Sequence, residues 1–225
     1  MQLLKLSEIV INWYKKNLRV LPWRPKNFNQ KINVLNREIY QDKKYSDIII
    51  ILNNLKKLYK NFKKKDYEKM FNKYLNIKNF IWLKKGIAGD DTHGHVDDIS
   101  RFVSRNTIMT AVENNKKDIN YKSLNKNLNI LKESKCEKGK KFKIIKVPMP
   151  SPIYIENTRV PASYMNFYIC NKKIILPIFR VKEDNIAIKI FKNYFRNRKI
   201  ETVDCSKLIW GFGAIHCMTQ QEPKI

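Results

Sequence analysis

Two short segments concentrate reactive side chains in a chain otherwise rich in Lys, Asn and Ile. The first is Gly89-Asp90-Asp91-Thr92-His93-Gly94-His95-Val96-Asp97-Asp98, with four carboxylates and two imidazoles inside nine residues. The second is Trp210-Gly211-Phe212-Gly213-Ala214-Ile215-His216-Cys217-Met218-Thr219-Gln220-Gln221. Stripping water from an unpaired charge costs on the order of several kcal/mol, so the carboxylates need a cationic partner, a metal or solvent. An extended His95-Val96-Asp97 would put an imidazole and a carboxylate on one face. That pair suits a site where Asp97 accepts hydrogen bonds from a flat cation while His95 moves protons at the same carbon. Planar guanidinium matches carboxylates in this bidentate way. Cys217 becomes a nucleophile once it is a thiolate, and a nearby cation lowers the free thiol pKa of about 8.5. The glycines beside it would permit close backbone approach to a ligand.

Two other readings fit the same residues. His93 and His95 with Asp97 and Cys217 could bind zinc, although dedicated zinc sites show tighter paired ligand spacing. An acidic surface loop with an inert buried cysteine is the other, because free cysteine is among the most buried residue types. Cys136, Cys170 and Cys205 are expected in that packing role, as are Trp82 and Trp210. The four cysteines are irregularly spaced and suggest neither a disulfide framework nor a CxxC site.

The elements that must position these segments divide the chain in two. Leu3, Leu4, Ile9, Val10, Trp13 and Tyr14 recur at helical spacing, predicting a helix over residues 1–24 that ends at the prolines Pro22 and Pro25. A second helix is expected from Ser46 to Phe62, and a third from Asp66, as its N-cap, through Tyr74. Beyond it, Phe80 to Leu83, Thr107 to Val112, Phe142 to Val147, Tyr164 to Cys170, Lys173 to Ile178 and Glu201 to Val203 have strand length and β-branched or aromatic content. Ile186 to Phe195 has helical spacing, and strands alternating with helices indicate an α/β domain. The expected organisation is a basic helical segment, residues 1–62, followed by an α/β domain, residues 63–225.

Charge and hydropathy bound the function classes. The net charge of +26 first points to nucleic acid. Residues 1–60, however, hold only 13 of the 46 Lys and Arg and 4 of the 20 Asp and Glu, so the excess is spread along the chain. With abundant Asn, Ile and Tyr, this pattern fits an AT-rich codon bias better than a dedicated phosphate-binding patch. The longest apolar run, Ile48 to Leu52, falls far short of the roughly 20 residues of a membrane-spanning helix, and the first residues lack a signal-peptide centre. A cytoplasmic protein without a membrane partner is expected.

Five segments in fixed order carry a family resemblance. They are Trp82 to Ala88 with the GDDTHGHVDD run, Pro148-Met149-Pro150, Pro161-Ala162-Ser163-Tyr164-Met165-Asn166-Phe167-Tyr168, and Ile215 to Gln221. In this order they closely resemble agmatine deiminase, a relative of bacterial peptidylarginine deiminases. The resemblance implies a pentein-type α/β propeller of ββαβ-like units, here partial. It also implies hydrolysis of agmatine to N-carbamoylputrescine and ammonia, a step of putrescine formation, without a cofactor. Carried over by position, Cys217 resembles the nucleophile, His95 the proton donor and acceptor, and Asp97 and Asp91 the carboxylates that hold the guanidinium. Family members are considerably longer, and their first half supplies a further Asp and a Glu beside paired glycines, a Glu-Gly-Gly segment with no counterpart here. Residues 1–24, through Val10 to Lys16 and Arg19 to Arg24, resemble the N-terminus of an A/G-specific adenine glycosylase. Free arginine or peptidylarginine as substrate, a homo-oligomer, an inactive truncated or fused remnant and a basic nucleic-acid-associated protein are the remaining readings.

Overall fold

The computed structural model describes residues 48–52, 63–90 and 94–220. Two copies of one arrangement make up most of it. In the first, β3 (Ser100–Ser104) and β4 (Thr107–Val112) form an antiparallel hairpin, and helix α2 (Tyr121–Glu133) carries the chain over to β5 (Lys143–Pro148), which pairs in parallel with β4. In the second, the short strand β8 (Tyr168–Ile169) pairs antiparallel with β9 (Lys173–Ile178). Helix α3 (Glu183–Tyr194) then crosses to β10 (Lys199–Asp204), parallel to β9. Each copy is a ββαβ unit with its middle strand between the other two. Ahead of them, β1 (Ile48–Leu52) and β2 (Asn79–Leu83) pair in parallel through helix α1 (Lys64–Leu75). A two-stranded ribbon, β6 (Tyr154–Ile155) and β7 (Thr158–Arg159), links the units. The class is α/β. No helix among the described residues is long and apolar enough to cross a membrane.

Parallel strands covered by crossover helices are buried on both faces, which is why β4 and β9 read as near-continuous apolar runs. Ile108, Met109, Ile174 and Leu176 are fully buried, and Leu124 and Leu131 of α2 with Ala187 and Phe191 of α3 close over them in one continuous core. Tyr67, Phe71, Ile77 and Trp82 form a smaller cluster beneath α1, where Trp82 Nε1 donates to Glu68 at 2.8 Å.

Several expectations are corrected. Residues 48–52 of the expected Ser46 to Phe62 helix form a strand; a short run of isoleucines has no polar face, so periodicity alone does not separate a buried strand from a helix. The strand at 48–52 pairs with 79–83. Asp66 does not cap α1 from outside. It sits one turn inside, where its carboxylate accepts the Lys63 N–H at 2.8 Å. Only Tyr168–Ile169 of the Tyr164 to Cys170 run is a strand. The rest is held by side chains: the Tyr164 hydroxyl donates to Asp184 at 2.6 Å, and fully buried Arg101 donates to the carbonyls of Met165 and Phe167 while lying 4.5 Å over the Phe167 ring. The expected helix over residues 1–24 lies outside the described residues.

The fold delivers the acidic loop through α2. Asn127 accepts the Lys84 N–H at 2.8 Å and donates to the Lys85 carbonyl at 2.9 Å, and Asn120 accepts the Ala88 N–H at 2.7 Å. These amides replace ladder bonds and hold the chain up to Gly89. There φ is +89°, and an added Cβ would stand 2.5 Å from the Arg159 carbonyl oxygen. A left-handed backbone and a backbone collision both demand glycine. Gly89→Ala is expected to lower stability by about 2 kcal/mol or more, read as a drop of several degrees in thermal melting; an unchanged melting temperature would refute the close approach.

Candidate active site

Asp90, the first carboxylate after Gly89, is buried and fastens His95 twice. Its Oδ2 accepts the His95 N–H at 3.0 Å, and its Oδ1 lies 2.5 Å from Nδ1. The second contact assigns the Nδ1 hydrogen to Asp90 and turns Nε2 to the opposite edge of the ring, the arrangement that orients a histidine for proton transfer. Val96–Asp98 is a 3-10 turn, not the extended segment expected, so Asp97 and Asp98 both turn inward and both are buried. Asp90, His95 and Asp98 bring ligand atoms within 4.8 Å of one another. A direct hydrogen bond between Asp90 and His95 already pairs two of these three groups. His93 and Asp91 lie outside the described residues.

The second segment reaches the same place from β10. After a 3-10 turn at Leu208–Gly211, Phe212 adopts φ +58°, and another 3-10 turn, His216–Met218, carries the cysteine. Gly213 makes room for it, because a Cβ there would stand 2.7 Å from Cys217 Cβ and 3.1 Å from Sγ. The close approach this glycine permits is thus to the cysteine itself. Although Cys217 is exposed as a residue, its Sγ turns inward, 3.0 Å from Asn166 Nδ2 and 3.5 Å from Asp97 Oδ2. Cys136 and Cys205 are buried in the packing role expected of them, and Cys170 is half-buried. Trp82 is packed as expected, but Trp210 is half exposed.

Asn166 joins the two segments. Its Nδ2 lies 3.2 Å from Asp97 Oδ2 and 2.9 Å from Asp98 Oδ1, in addition to its contact with Sγ. His216, which sequence reasoning passed over beside Cys217, places Nδ1 2.7 Å from Asp97 Oδ2. The other oxygen of Asp97, Oδ1, is buried without a hydrogen-bond partner among the described residues. Asp97, Cys217 and, through Asp98 and Asn166, His95 therefore belong to one cluster.

The charges are unequal. Burial alone would raise the Asp97 pKa, but the hydrogen bond and charge of His216, with Arg101 and His95 behind it, hold that carboxyl below the usual range. Asp98 goes the other way: burial and the neighbouring Asp97 and Asp90 push it well above the carboxylate range, against the opposing Asn166 bond and Arg101. The expected lowering of the thiol needs a cationic substrate beside it. Within the chain itself, burial followed by the charges of Asp97 and Asp98 pushes Cys217 up to about 12. The thiol is thus protonated beside a buried carboxyl held below the usual range, one oxygen of which accepts no hydrogen bond among the described residues.

The profile of the Porphyromonas-type peptidyl-arginine deiminase family matches residues 51–223, a span that contains both segments. The chain belongs to this family. Among its relatives, a Legionella pneumophila protein named "Putative agmatine deiminase" is 38% identical over 152 residues, covering 67% of this chain and 44% of its own. A Mycoplasma capricolum protein of the same name is 35% identical over 177 residues, covering 71% and 49%. The agmatine deiminase of Enterococcus faecalis superposes with a TM-score of 0.74 at 26% identity, over 80% of this chain and 55% of that one. A C. jejuni agmatine deiminase with substrate bound gives 0.69 at 28% identity, over 76% and 50%. The chain thus spans about half the length of the family members it matches.

Asp98 yields a stability prediction. Its folded-state pKa is raised, whereas in the unfolded chain the group ionises near about 3.9. Between those values the native state holds the extra proton, so stability falls as pH rises through the window. Asp98→Asn removes that loss. It is expected to raise the melting temperature by roughly a few degrees at pH 7 and by less at pH 4, and a gain larger at pH 4 would contradict the assignment.

Proposed function

We propose that the chain carries the nucleophile and proton-transfer side of an agmatine deiminase-type hydrolase acting on the C–N bond of a guanidinium group. What supports this best is buried Asp97, whose carboxyl is held below the usual range and whose Oδ1 has no hydrogen-bond partner among the described residues, while its Oδ2 lies 3.5 Å from a thiol that burial and the neighbouring acids hold protonated. A guanidinium supplies what is lacking, two N–H donors for a carboxylate and a positive charge next to sulfur. In this reading the two ββαβ units are part of a pentein-type propeller, and Asp91 joins Asp97 in holding the substrate.

The chemistry then runs in two displacements. With the cation bound, the thiol proton passes to His95 and Sγ attacks the guanidinium carbon. His95 returns the proton to the departing nitrogen, the C–N bond breaks, and ammonia leaves an amidino-thioether on Cys217. A water molecule gives a proton to His95 and adds to the same carbon. The C=O bond then forms as the S–C bond breaks to release the carbamoyl product, the hydroxyl proton passes to the departing sulfur to restore the thiol, and His95 releases its proton to solvent. Splitting one hard displacement into two easier ones is the gain from covalent catalysis. No cofactor enters, because the substrate's own charge polarises the reacting carbon. With agmatine the products are N-carbamoylputrescine and ammonia, which places the reaction in polyamine formation.

Agmatine-dependent ammonia release by the full chain tests the proposal. Cys217→Ala is expected to abolish it, and His95→Ala to reduce it by about a hundredfold or more. Asp97→Asn should act mainly on KM, since a lost charge-assisted hydrogen bond is worth roughly 1.5 to 3 kcal/mol. A wild-type chain that releases no ammonia, and whose Cys217 alkylation agmatine does not slow, would overturn it.

A further inference from the structure

Asn166 is buried in the turn that leads into β8, and every polar group it has is used. Its carbonyl oxygen Oδ1 accepts the Ala214 N–H at 3.2 Å and the Cys217 N–H at 3.3 Å. Its backbone carbonyl accepts the His216 N–H at 3.0 Å. Two backbone donors on Oδ1 fix the orientation of the amide, since a flipped side chain would set NH2 against N–H. The nitrogen must therefore face Asp98 Oδ1 at 2.9 Å, Cys217 Sγ at 3.0 Å and Asp97 Oδ2 at 3.2 Å. An amide NH2 carries two hydrogens. Three acceptors compete for them, so one must be satisfied in another way or carry its own proton.

We propose that Asn166 is the positioning residue that governs the protonation of Cys217, sharing two amide hydrogens among the sulfur and the carboxylates of Asp97 and Asp98. Whatever withdraws a carboxylate from the competition frees a hydrogen for the sulfur and favours the thiolate. A guanidinium on Asp97 would do this. Substrate binding at the carboxylate and activation at the sulfur are thereby linked through one side chain, with no contact between substrate and amide required. The ionisable groups around the sulfur are Asp97 and Asp98, with Asp90, His95, His216 and Arg101 behind them. Asn166 is a neutral donor in direct contact with Sγ, and its hydrogen bond lowers the thiol pKa against the upward push of burial and of both acids. The inference rests on the reading of Cys217 as the nucleophile, but its test needs no turnover.

The rate of iodoacetamide alkylation at Cys217, followed by peptide mass in the full-length chain between pH 7 and pH 10, reports the thiolate fraction. Asn166→Ala is expected to slow alkylation at pH 9 by about tenfold, equivalent to a rise of about one pKa unit. Asn166→Asp, equal in shape but with an acceptor in place of the donor and an added negative charge, should slow it further. A purely structural role would loosen the turn and speed alkylation, so rates equal to or faster than wild type in folded variants overturn the proposal. Should both variants melt below the assay temperature, Asn166→Ser, which retains one hydroxyl donor, decides: slower alkylation supports the proposal and an unchanged rate overturns it. A chain that shows these rates without deiminating agmatine would separate this inference from the proposed reaction.

Discussion

The site depends on keeping one carboxylate ionised inside the protein. Asp97 has lost nearly all its water, and a charge so placed survives only where hydrogen bonds and opposite charges repay the desolvation. His216 and Asn166 supply the hydrogen bonds, and Arg101, itself fully buried, supplies charge from beneath. Arg101 is in turn committed to the Met165 and Phe167 carbonyls that flank Asn166. The same guanidinium that offsets the acid therefore also fixes the turn that brings it an amide donor. Removing any one of these partners leaves a second buried group unpaired, which is the costly half of breaking such a network.

From that constraint the placement of the elements follows. The acidic turn precedes the first strand of one ββαβ unit, the asparagine precedes the first strand of the other, and the cysteine follows the last strand of that second unit. Both units share one core, so the three chain segments meet on a rigid base although they are far apart in sequence. Two glycines set the final approach. Gly89 lets the loop pass against the Arg159 carbonyl, and Gly213 lets the cysteine side chain fold back against its own loop. Neither position tolerates a side chain, for the same steric reason applied to backbone in one case and sulfur in the other.

How much of this was legible in the sequence depended on whether the information was local. β4 and β9 were readable to the residue because a middle strand covered by a crossover helix needs a near-continuous apolar run. β3, Ser100–Ser104, was not, since its Ser and Arg ends resemble loop and Arg101 is buried only because distant carbonyls receive it. Helix α2 was missed among asparagines, although Leu124, Leu128 and Leu131 keep helical spacing; two of those asparagines, Asn120 and Asn127, are the straps that hold the acidic loop. At the site, residue chemistry singled out His95, Asp97 and Cys217. It could not reveal Asn166, His216, Asp90 or Asp98, whose roles arise from partners as far as 119 positions away. The groups that push the thiol up belong to the fold as well, because residue types do not say which charges end up beside the sulfur.

The inequality of the two adjacent acids carries the last step. Asp97 and Asp98 are neighbours on one turn and equally buried, yet one is driven down and the other up. Asp97 takes His216, whereas Asp98 is left with the amide and with two negative neighbours. Two like charges this close cannot both ionise cheaply without water, so lowering one raises the other. The outcome is unequal protonation of two adjacent acids, with a protonated thiol within reach. Had both acids ionised, the sulfur would face two anions and a cation would be held too tightly to leave. Had neither, a cation would have nothing to bind. The charge that faces the sulfur is therefore set by the partners each acid finds in the fold rather than by the number of acids.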